Sequence, residues 1–138
     1  YEALPGGSDI GTLIDTIGPH IAADVEGLTL YYAGETTGYL IASSQGDDTY
    51  VIYSREGGND FIGRFSVVDN ETIDGTSSTD GIDVCNMSLG GKLNKGVFIV
   101  QDDVNDKGNQ NFKIISWDNI ANIFNPPLKI NSNWDLRN

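Results

Sequence analysis

Residues 28–43 read Leu-Thr-Leu-Tyr-Tyr-Ala-Gly-Glu-Thr-Thr-Gly-Tyr-Leu-Ile-Ala-Ser. Two runs rich in aromatic and aliphatic side chains are separated here by residues 34–37, whose composition is typical of a short hairpin loop. The next two apolar runs, residues 49–54 and 61–68, are joined through Gly57 and Gly58 in the same way. This stretch therefore predicts four consecutive antiparallel strands, a meander.

The same order of motifs occurs twice along the chain. Each copy has an acidic residue and a glycine before an apolar run, then a strand that starts at glycine, then a strand that ends in serine. The matched segments are residues 26–28 with 80–82, 38–42 with 96–100, and 50–54 with 112–116. A recurring four-stranded unit is typical of propeller blades, which bury their apolar faces only by stacking on neighbours. The sequence therefore predicts an all-β chain with about two four-stranded blades, a piece of a longer propeller. The alternative is a small closed β domain in which the repeat is coincidental.

The other short apolar runs extend this prediction to the rest of the chain. Runs bounded by Gly, Asn, Asp or Ser are predicted as strands at residues 11–17, 82–85, 96–100 and 112–117. One helix is predicted over residues 118–124, with Asp118 as its N-cap, and the prolines at 126 and 127 end it. The alternating tyrosines are predicted to lie in the core between blades; they are Tyr31, Tyr32, Tyr39, Tyr50 and Tyr53.

Charge and composition exclude several classes of partner. The chain of 138 residues has 20 Asp and Glu against 8 Lys and Arg, a formal net charge of -12. Nucleic acid and anionic membrane surfaces bind basic patches, so neither is an expected partner. No apolar run approaches the roughly 20 residues that a membrane helix needs. Cys85 is the single cysteine, which excludes an internal disulfide and a cysteine-based zinc site.

The acidic residues collect in the predicted loops, at residues 24–26, 47–48, 74–83 and 102–105. The repeat aligns Glu26 with Asp80, so we expect both to point to the same end of the blades. Carboxylates at close range repel unless a positive charge lies between them, and the chain offers almost no Lys or Arg near these loops. A hard cation with oxygen ligands solves this problem, and Ca²⁺ is the natural candidate. His20 and Cys85 stand alone, which makes zinc a poor candidate.

Four segments then make the sequence familiar. Residues 24–33, 38–46, 74–83 and 109–113 closely resemble, in order and spacing, the C-terminal part of the bacterial β-propeller phytases, the alkaline calcium-dependent 3-phytase family. The resemblance runs along nearly the whole chain. It implies a six-bladed propeller of which this chain is the C-terminal portion. We then expect residues 1–17 to be an outer strand of a preceding blade, 24–69 a complete blade, 80–125 the last blade with its short helix, and 126–138 a tail.

The resemblance also implies a function and a set of site residues. The function is the removal of phosphate from phytate, an inositol hexakisphosphate, by water activated on several Ca²⁺ ions. Residues carried over to the catalytic calcium cluster and its waters are Asp24, Glu26, Gln45, Asp74 and Asp80. A structural calcium site that ties two loops together is implied at Asp74, Asp102 and Asn105 and at the backbone carbonyls of Gly75 and Val104.

Two departures from the family pattern bear on these expectations. Ser78 stands where an Asp is common in relatives, which weakens one calcium ligand set. The basic residues that grip substrate phosphate in the family belong to blades before Tyr1, so the remaining N-terminal blades are an expected partner. We therefore expect this chain to carry the acidic half of the site, to be inactive in isolation, and to derive from a secreted bacterial protein.

Two other classes of protein fit the same residues. A non-enzymatic calcium-binding β module would also show acidic loops and few basic residues. A carbohydrate-active domain would use paired carboxylates without calcium. Phosphate release from phytate separates the first of these from a phytase, and activity in excess chelator would favour the second.

Overall fold

The computed structural model describes residues 11–133, and these form two antiparallel sheets and one short helix. The elements are β1 (Leu28–Tyr32), β2 (Gly38–Ser44), β3 (Thr49–Ser54), β4 (Phe61–Phe65), β5 (Ile82–Cys85), β6 (Val97–Asp102), β7 (Asn111–Ser116) and α1 (Trp117–Ala121). The first sheet has the order β1-β2-β3-β4 and the second has β5-β6-β7. The predicted meander and the all-β class are confirmed, and two such sheets with one short helix are consistent with a partial propeller.

Backbone hydrogen bonds show that the two sheets repeat each other. In the first sheet Ser43 N donates to Gly27 O at 2.9 Å, and in the second Gln101 N donates to Gly81 O at 3.0 Å. At the other end of the same strands, Arg55 N donates to Gly38 O and Trp117 N to Gly96 O, both at 3.0 Å. These are the positions that the sequence repeat aligns, so the repeat reflects a real structural unit.

The sheets lie side by side along their first strands, β1 and β5, which pack together without sharing a ladder. Thr29 Oγ1 in β1 donates to Asp83 Oδ1 in β5 at 2.9 Å. A Cβ added at Gly27 would lie 2.9 Å from the backbone nitrogen of Ile82, closer than real Cβ atoms come. Glycine before β1 therefore permits the close approach of the two sheets.

The core consists of a main cluster and a smaller cluster, and the two faces of β3 contribute to one each. Tyr50 and Ile52 point into the main cluster, while Val51 and Tyr53 point to a smaller cluster on the opposite face. A strand buried on both faces needs a continuous apolar run rather than alternation. In the main cluster Trp117 is fully buried and stacks on Tyr31 with ring centroids 4.1 Å apart.

The described part of the tail, residues 126–133, is anchored to this core. Lys129 N donates to Tyr39 Oη at 2.7 Å, and Asn131 N donates to Tyr31 Oη at 2.9 Å. Leu128 is buried. The tyrosines on β1 and β2 thus use their apolar rings in the core and their hydroxyls on the tail.

Three secondary-structure predictions need correction. Residues 11–17 contain no strand, only an isolated bridge from Ile17 to Ile21, because no described strand lies beside them. The helix is Trp117–Ala121 rather than 118–124, and Ser116 takes the N-cap position. The helix ends early because the backbone N–H of Leu128 donates to Ala121 O. The side chain of Leu128 is therefore buried in the core where Ile123 was expected, and Ile123 stays exposed. The strand predicted at 61–68 stops at Phe65.

Within residues 11–133 no helix has the length and apolar character needed to cross a bilayer. Trp134, together with residues 1–10 and the last part of the tail, lies outside the described residues.

Candidate functional site

The structure divides the predicted site residues into two groups. We call Asp24, Glu26, Gln45 and Asp80 the acidic end group, because Gln45 directly follows β2 and the three acids directly precede β1 or β5. We call Asp74, Asp102, Asn105 and Lys113 the junction cluster. The first group touches both sheets, and the second joins the connection between the sheets to the last strands.

Gln45 organises the acidic end group. It begins the short 3-10 turn that follows β2, and its backbone N–H donates to Asp24 O at 3.0 Å. Its side-chain Nε2 donates to Asp80 Oδ1, also at 3.0 Å. One glutamine therefore connects the segment before β1 to the segment before β5.

The backbones of the two aligned acids are held in matching ways. Glu26 N donates to Ser43 Oγ at 3.0 Å, and Asp80 N donates to Gln101 Oε1 at 2.9 Å. Ser43 and Gln101 are equivalent positions, each immediately after the matched strand segments of the repeat. Sequence reasoning missed both residues, although the repeat places them at aligned positions. Ser43 and Gln101 fix the two acidic residues through their backbone N–H groups and not through their carboxylates.

The carboxylates of this group face solvent. Asp24, Glu26 and Asp80 are all exposed, and Gln45 is half-buried. No Lys or Arg side chain of the described residues is paired with any of the three carboxylates. The side chains of this group offer carboxylate and amide oxygens, which are the ligands that a hard cation prefers.

The junction cluster has a different chemistry. Lys113 Nζ lies 2.7 Å from Asp74 Oδ1, 3.0 Å from Asp102 Oδ2 and 3.0 Å from Asn105 Oδ1. The second oxygen of Asp74 accepts from the backbone N–H of Asp106 at 2.9 Å. The sequence suggests almost no Lys or Arg near the acidic loops, but β7 brings Lys113 among the carboxylates of this cluster, where it supplies the positive charge.

These contacts shift the pKa values of both partners. Hydrogen bonding from Lys113, followed by the Asp106 N–H, lowers the pKa of Asp74. Burial alone would lower the pKa of Lys113, but the contacts of its ammonium group with the carboxylates of Asp74 and Asp102 outweigh burial and raise that pKa. Both groups are therefore held in their charged forms.

The two residues predicted to offer backbone carbonyls lie beside this cluster. Gly75 and Val104 line a cavity of about 490 Å³ together with Asp74 and Asp102. The N–H of Gly75 donates to Asp69 Oδ1 at 2.7 Å.

Ser78, the departure noted in the sequence, donates its N–H to Asp48 Oδ1 at 2.7 Å. Among residues 11–133, no group of three His, Cys, Asp or Glu residues is arranged to hold a metal ion.

The fold and the site describe an all-β protein with an acidic surface at one end of two packed sheets. Comparison with known sequences then identifies its family. The sequence model of the family described as Phytase matches residues 1–138, the whole chain. The chain belongs to this family. It is 51% identical over 126 residues to the 3-phytase of Bacillus subtilis (strain 168), a match that covers 88% of this chain and 33% of the relative. The chain thus spans about a third of that relative's length.

Proposed function

We propose that the protein to which this chain belongs hydrolyses the phosphomonoesters of phytate in a calcium-dependent reaction, and that this chain supplies the acidic part of the site. Membership of the phytase family and the likeness to a 3-phytase support the reaction class. The observation that carries the placement of the site is the Gln45–Asp80 hydrogen bond, which links the acidic ends of two sheets.

The acidic end group fits calcium by its donor chemistry. Asp24, Glu26 and Asp80 present exposed carboxylates. These three are not arranged to hold a metal ion by themselves. They would hold the cation together with water and oxygens from the rest of the protein, since Ca²⁺ takes six to eight oxygen ligands from carboxylates, carbonyls and water. When bound, the metal would supply the positive charge that attracts a phosphate and would lower the pKa of a bound water.

The chain's own residues prepare this surface. Gln45 restrains the carboxylate of Asp80 through Nε2. Ser43 fixes the backbone at Glu26 and Gly27 through one buried hydroxyl oxygen, at 3.0 and 2.8 Å. Without a counter-charge, these exposed carboxylates would repel a polyanionic substrate.

The rest of the protein is the proposed partner of this chain. Phe112 and Ile114 on β7 are 68% and 60% exposed, and a sheet face of this kind is covered in propellers by a neighbouring blade. We propose that other blades of the same protein cover such faces and supply the cations that bind substrate phosphate. Blade boundaries at residues 24–69 and 80–125, and secretion of the whole protein, are parts of the same proposal.

The decisive experiment replaces Asp80 in the full-length protein. Phosphate release from phytate is measured with Ca²⁺ and in excess EGTA, for the wild type, for Asp80→Asn and for the matched control Asp60→Asn, an exposed aspartate in the β3–β4 loop. We expect Asp80→Asn to lower activity about 100-fold, in the range seen when metal-site groups are altered, and Asp60→Asn to leave it unchanged.

Each other outcome contradicts a specific part of the proposal. Normal turnover by Asp80→Asn would remove the acidic end group from the reaction. Wild-type activity that persists in EGTA would remove calcium and favour another hydrolase class. Calcium binding without any phosphate release would identify a non-enzymatic calcium-binding module.

A further inference from the structure

The junction cluster contains its own cation. Three side-chain oxygens from three separate segments surround Lys113 Nζ within 3.0 Å: those of Asp74, Asp102 and Asn105. The ammonium group donates hydrogen bonds to Asp74 Oδ1 and Asn105 Oδ1, and it forms an ion pair with Asp102 Oδ2. No other Lys or Arg among residues 11–133 pairs with two carboxylates.

Burial makes this charge necessary. The side chain of Asp102 is 1% exposed and that of Lys113 is 8% exposed. Asp102 Oδ1 accepts the backbone N–H of Ser77 at 3.1 Å, while Oδ2 has no hydrogen-bond partner among the described residues and lies 3.0 Å from the Lys113 ammonium nitrogen as an ion pair. A buried carboxylate without a positive partner is strongly destabilising. Lys113 therefore neutralises a charge that water cannot reach.

The cluster also fastens the connection between the two sheets. Asp74 lies in the segment that runs from β4 to β5, Asp102 ends β6, and Lys113 lies in β7. The Asp106 N–H adds the β6–β7 loop through its bond to Asp74 Oδ2. One ammonium group thus ties the inter-sheet segment to the last two strands.

This arrangement does not fit a divalent metal at the same oxygens. A calcium ion would need the oxygens of Asp74, Asp102 and Asn105 at about 2.3–2.6 Å. The ammonium nitrogen already lies among them, and two cations in contact would repel each other. The side-chain oxygens that the family resemblance assigns to a structural calcium ion are therefore already paired with the ammonium group of Lys113.

We infer that Lys113 is the resident cation of this junction, in place of a structural calcium ion, and that Asp74 is a junction residue rather than a member of the catalytic calcium group. This inference does not depend on the proposed function. Its measurements are thermal stability and bound-metal count, so it can fail while the phytase assignment stands.

The first test measures thermal unfolding of the full-length protein in EGTA. Lys113→Met keeps the apolar stem and removes the charge, and Lys95→Met on an exposed lysine is the matched control. We expect Lys113→Met to lower Tm by roughly 5–15 °C, and the control to leave it unchanged. Adding Asp102→Asn to Lys113→Met should restore at least half of the loss, because the uncompensated carboxylate is then gone. An unchanged Tm for Lys113→Met, or no recovery in the double variant, would overturn the inference.

The second test keeps Lys113 and removes the buried carboxylate. Asp102→Asn alone leaves the ammonium group with Asp74 and Asn105, so this variant remains informative if Lys113→Met does not fold. Native mass spectrometry of the full-length protein with Ca²⁺ should give the same number of bound ions for the wild type and Asp102→Asn. Loss of one calcium ion in Asp102→Asn would show that a metal holds this junction.

Discussion

Gln45 and Asp80 are 35 residues apart in sequence, yet the side-chain amide of the first donates to the carboxylate of the second at 3.0 Å. This bond crosses from the end of one sheet to the beginning of the next. It also places the aligned acids Glu26 and Asp80 at the same end of the two repeats, since both precede the neighbouring strands β1 and β5. The acidic end group is therefore a product of how the two sheets pack together.

Replacing Gln45 by Leu should reduce phosphate release from phytate about 10- to 100-fold, because outer partners orient the groups of a metal site. The bond is exposed, so we expect Tm to change little. Gln110→Leu is the matched control, since Gln110 also donates an exposed hydrogen bond to an aspartate, Asp103, but outside this group. Equal activity of the two variants would show that the Gln45–Asp80 bond has no part in the reaction.

Ser43→Ala should destabilise the protein by about 1–3 kcal/mol, because it leaves two backbone donors, Glu26 N and Gly27 N, without their acceptor. Urea unfolding measures the change, and Ser66→Ala at an exposed position serves as the control. A loss no greater than that of the control would mean that water replaces the hydroxyl. In that case the backbone at Glu26 would not depend on Ser43.

Trp117→Ala should cost about 3–5 kcal/mol of unfolding free energy, as expected for a large aromatic side chain removed from a core. Trp117 is fully buried, stacks on Tyr31, and donates its indole N–H to Lys129 O at 3.3 Å. Ile123→Ala, at an exposed residue just after the same helix, should change stability by less than about 0.5 kcal/mol. Similar losses for both variants would place Trp117 outside the cooperative core.

Asp15 gives the fold an acid-sensitive contact. Its carboxylate accepts from Tyr53 Oη at 2.6 Å and from Thr16 N at 2.7 Å, and it pairs with His20 Nδ1 at 3.0 Å. These contacts, the Tyr53 hydrogen bond foremost, lower the pKa of Asp15. A lowered carboxyl pKa stabilises the folded state above the unfolded value of about 4, and this stability is lost as pH falls through the folded value.

We therefore expect the wild type to lose its stability advantage over Asp15→Asn as pH is lowered below about 4. Urea unfolding at a series of pH values measures the difference, and Asp60→Asn, at an exposed aspartate, is measured beside it as the control substitution. A difference between wild type and Asp15→Asn that stays constant from about pH 6 to about pH 3 would contradict the prediction.

Much of the fold could be predicted because strand signals are local. The meander and the repeat depend on short apolar runs and glycine-containing turns, and the limits of β3 and β5 agree with the prediction. Residues 11–17 show the limit of such signals, since an apolar run forms a strand only when another strand lies beside it. The helix end at Ala121 depended on Leu128, which returns to the core from the tail.

The candidate site was only partly predictable from local pattern. Asp24, Glu26 and Asp80 were singled out because the repeat and the acidic loops mark them. Lys113 was missed because nothing in its immediate sequence indicates that its ammonium group would meet Asp74, 39 residues away. The catalytic and metal-binding roles of Asp24, Glu26 and Asp80 stay predictions until the variants described above are measured.

The sequence alone determined the short strands, their grouping into two repeats and the excess of negative charge, because these follow from residue type and periodicity along the chain. The tertiary structure decided which acids share an end with Gln45 and which surround Lys113. Such contacts depend on the path of the loops between sheets, and the electrostatic cost of a buried carboxylate is defined only once its neighbours are in place.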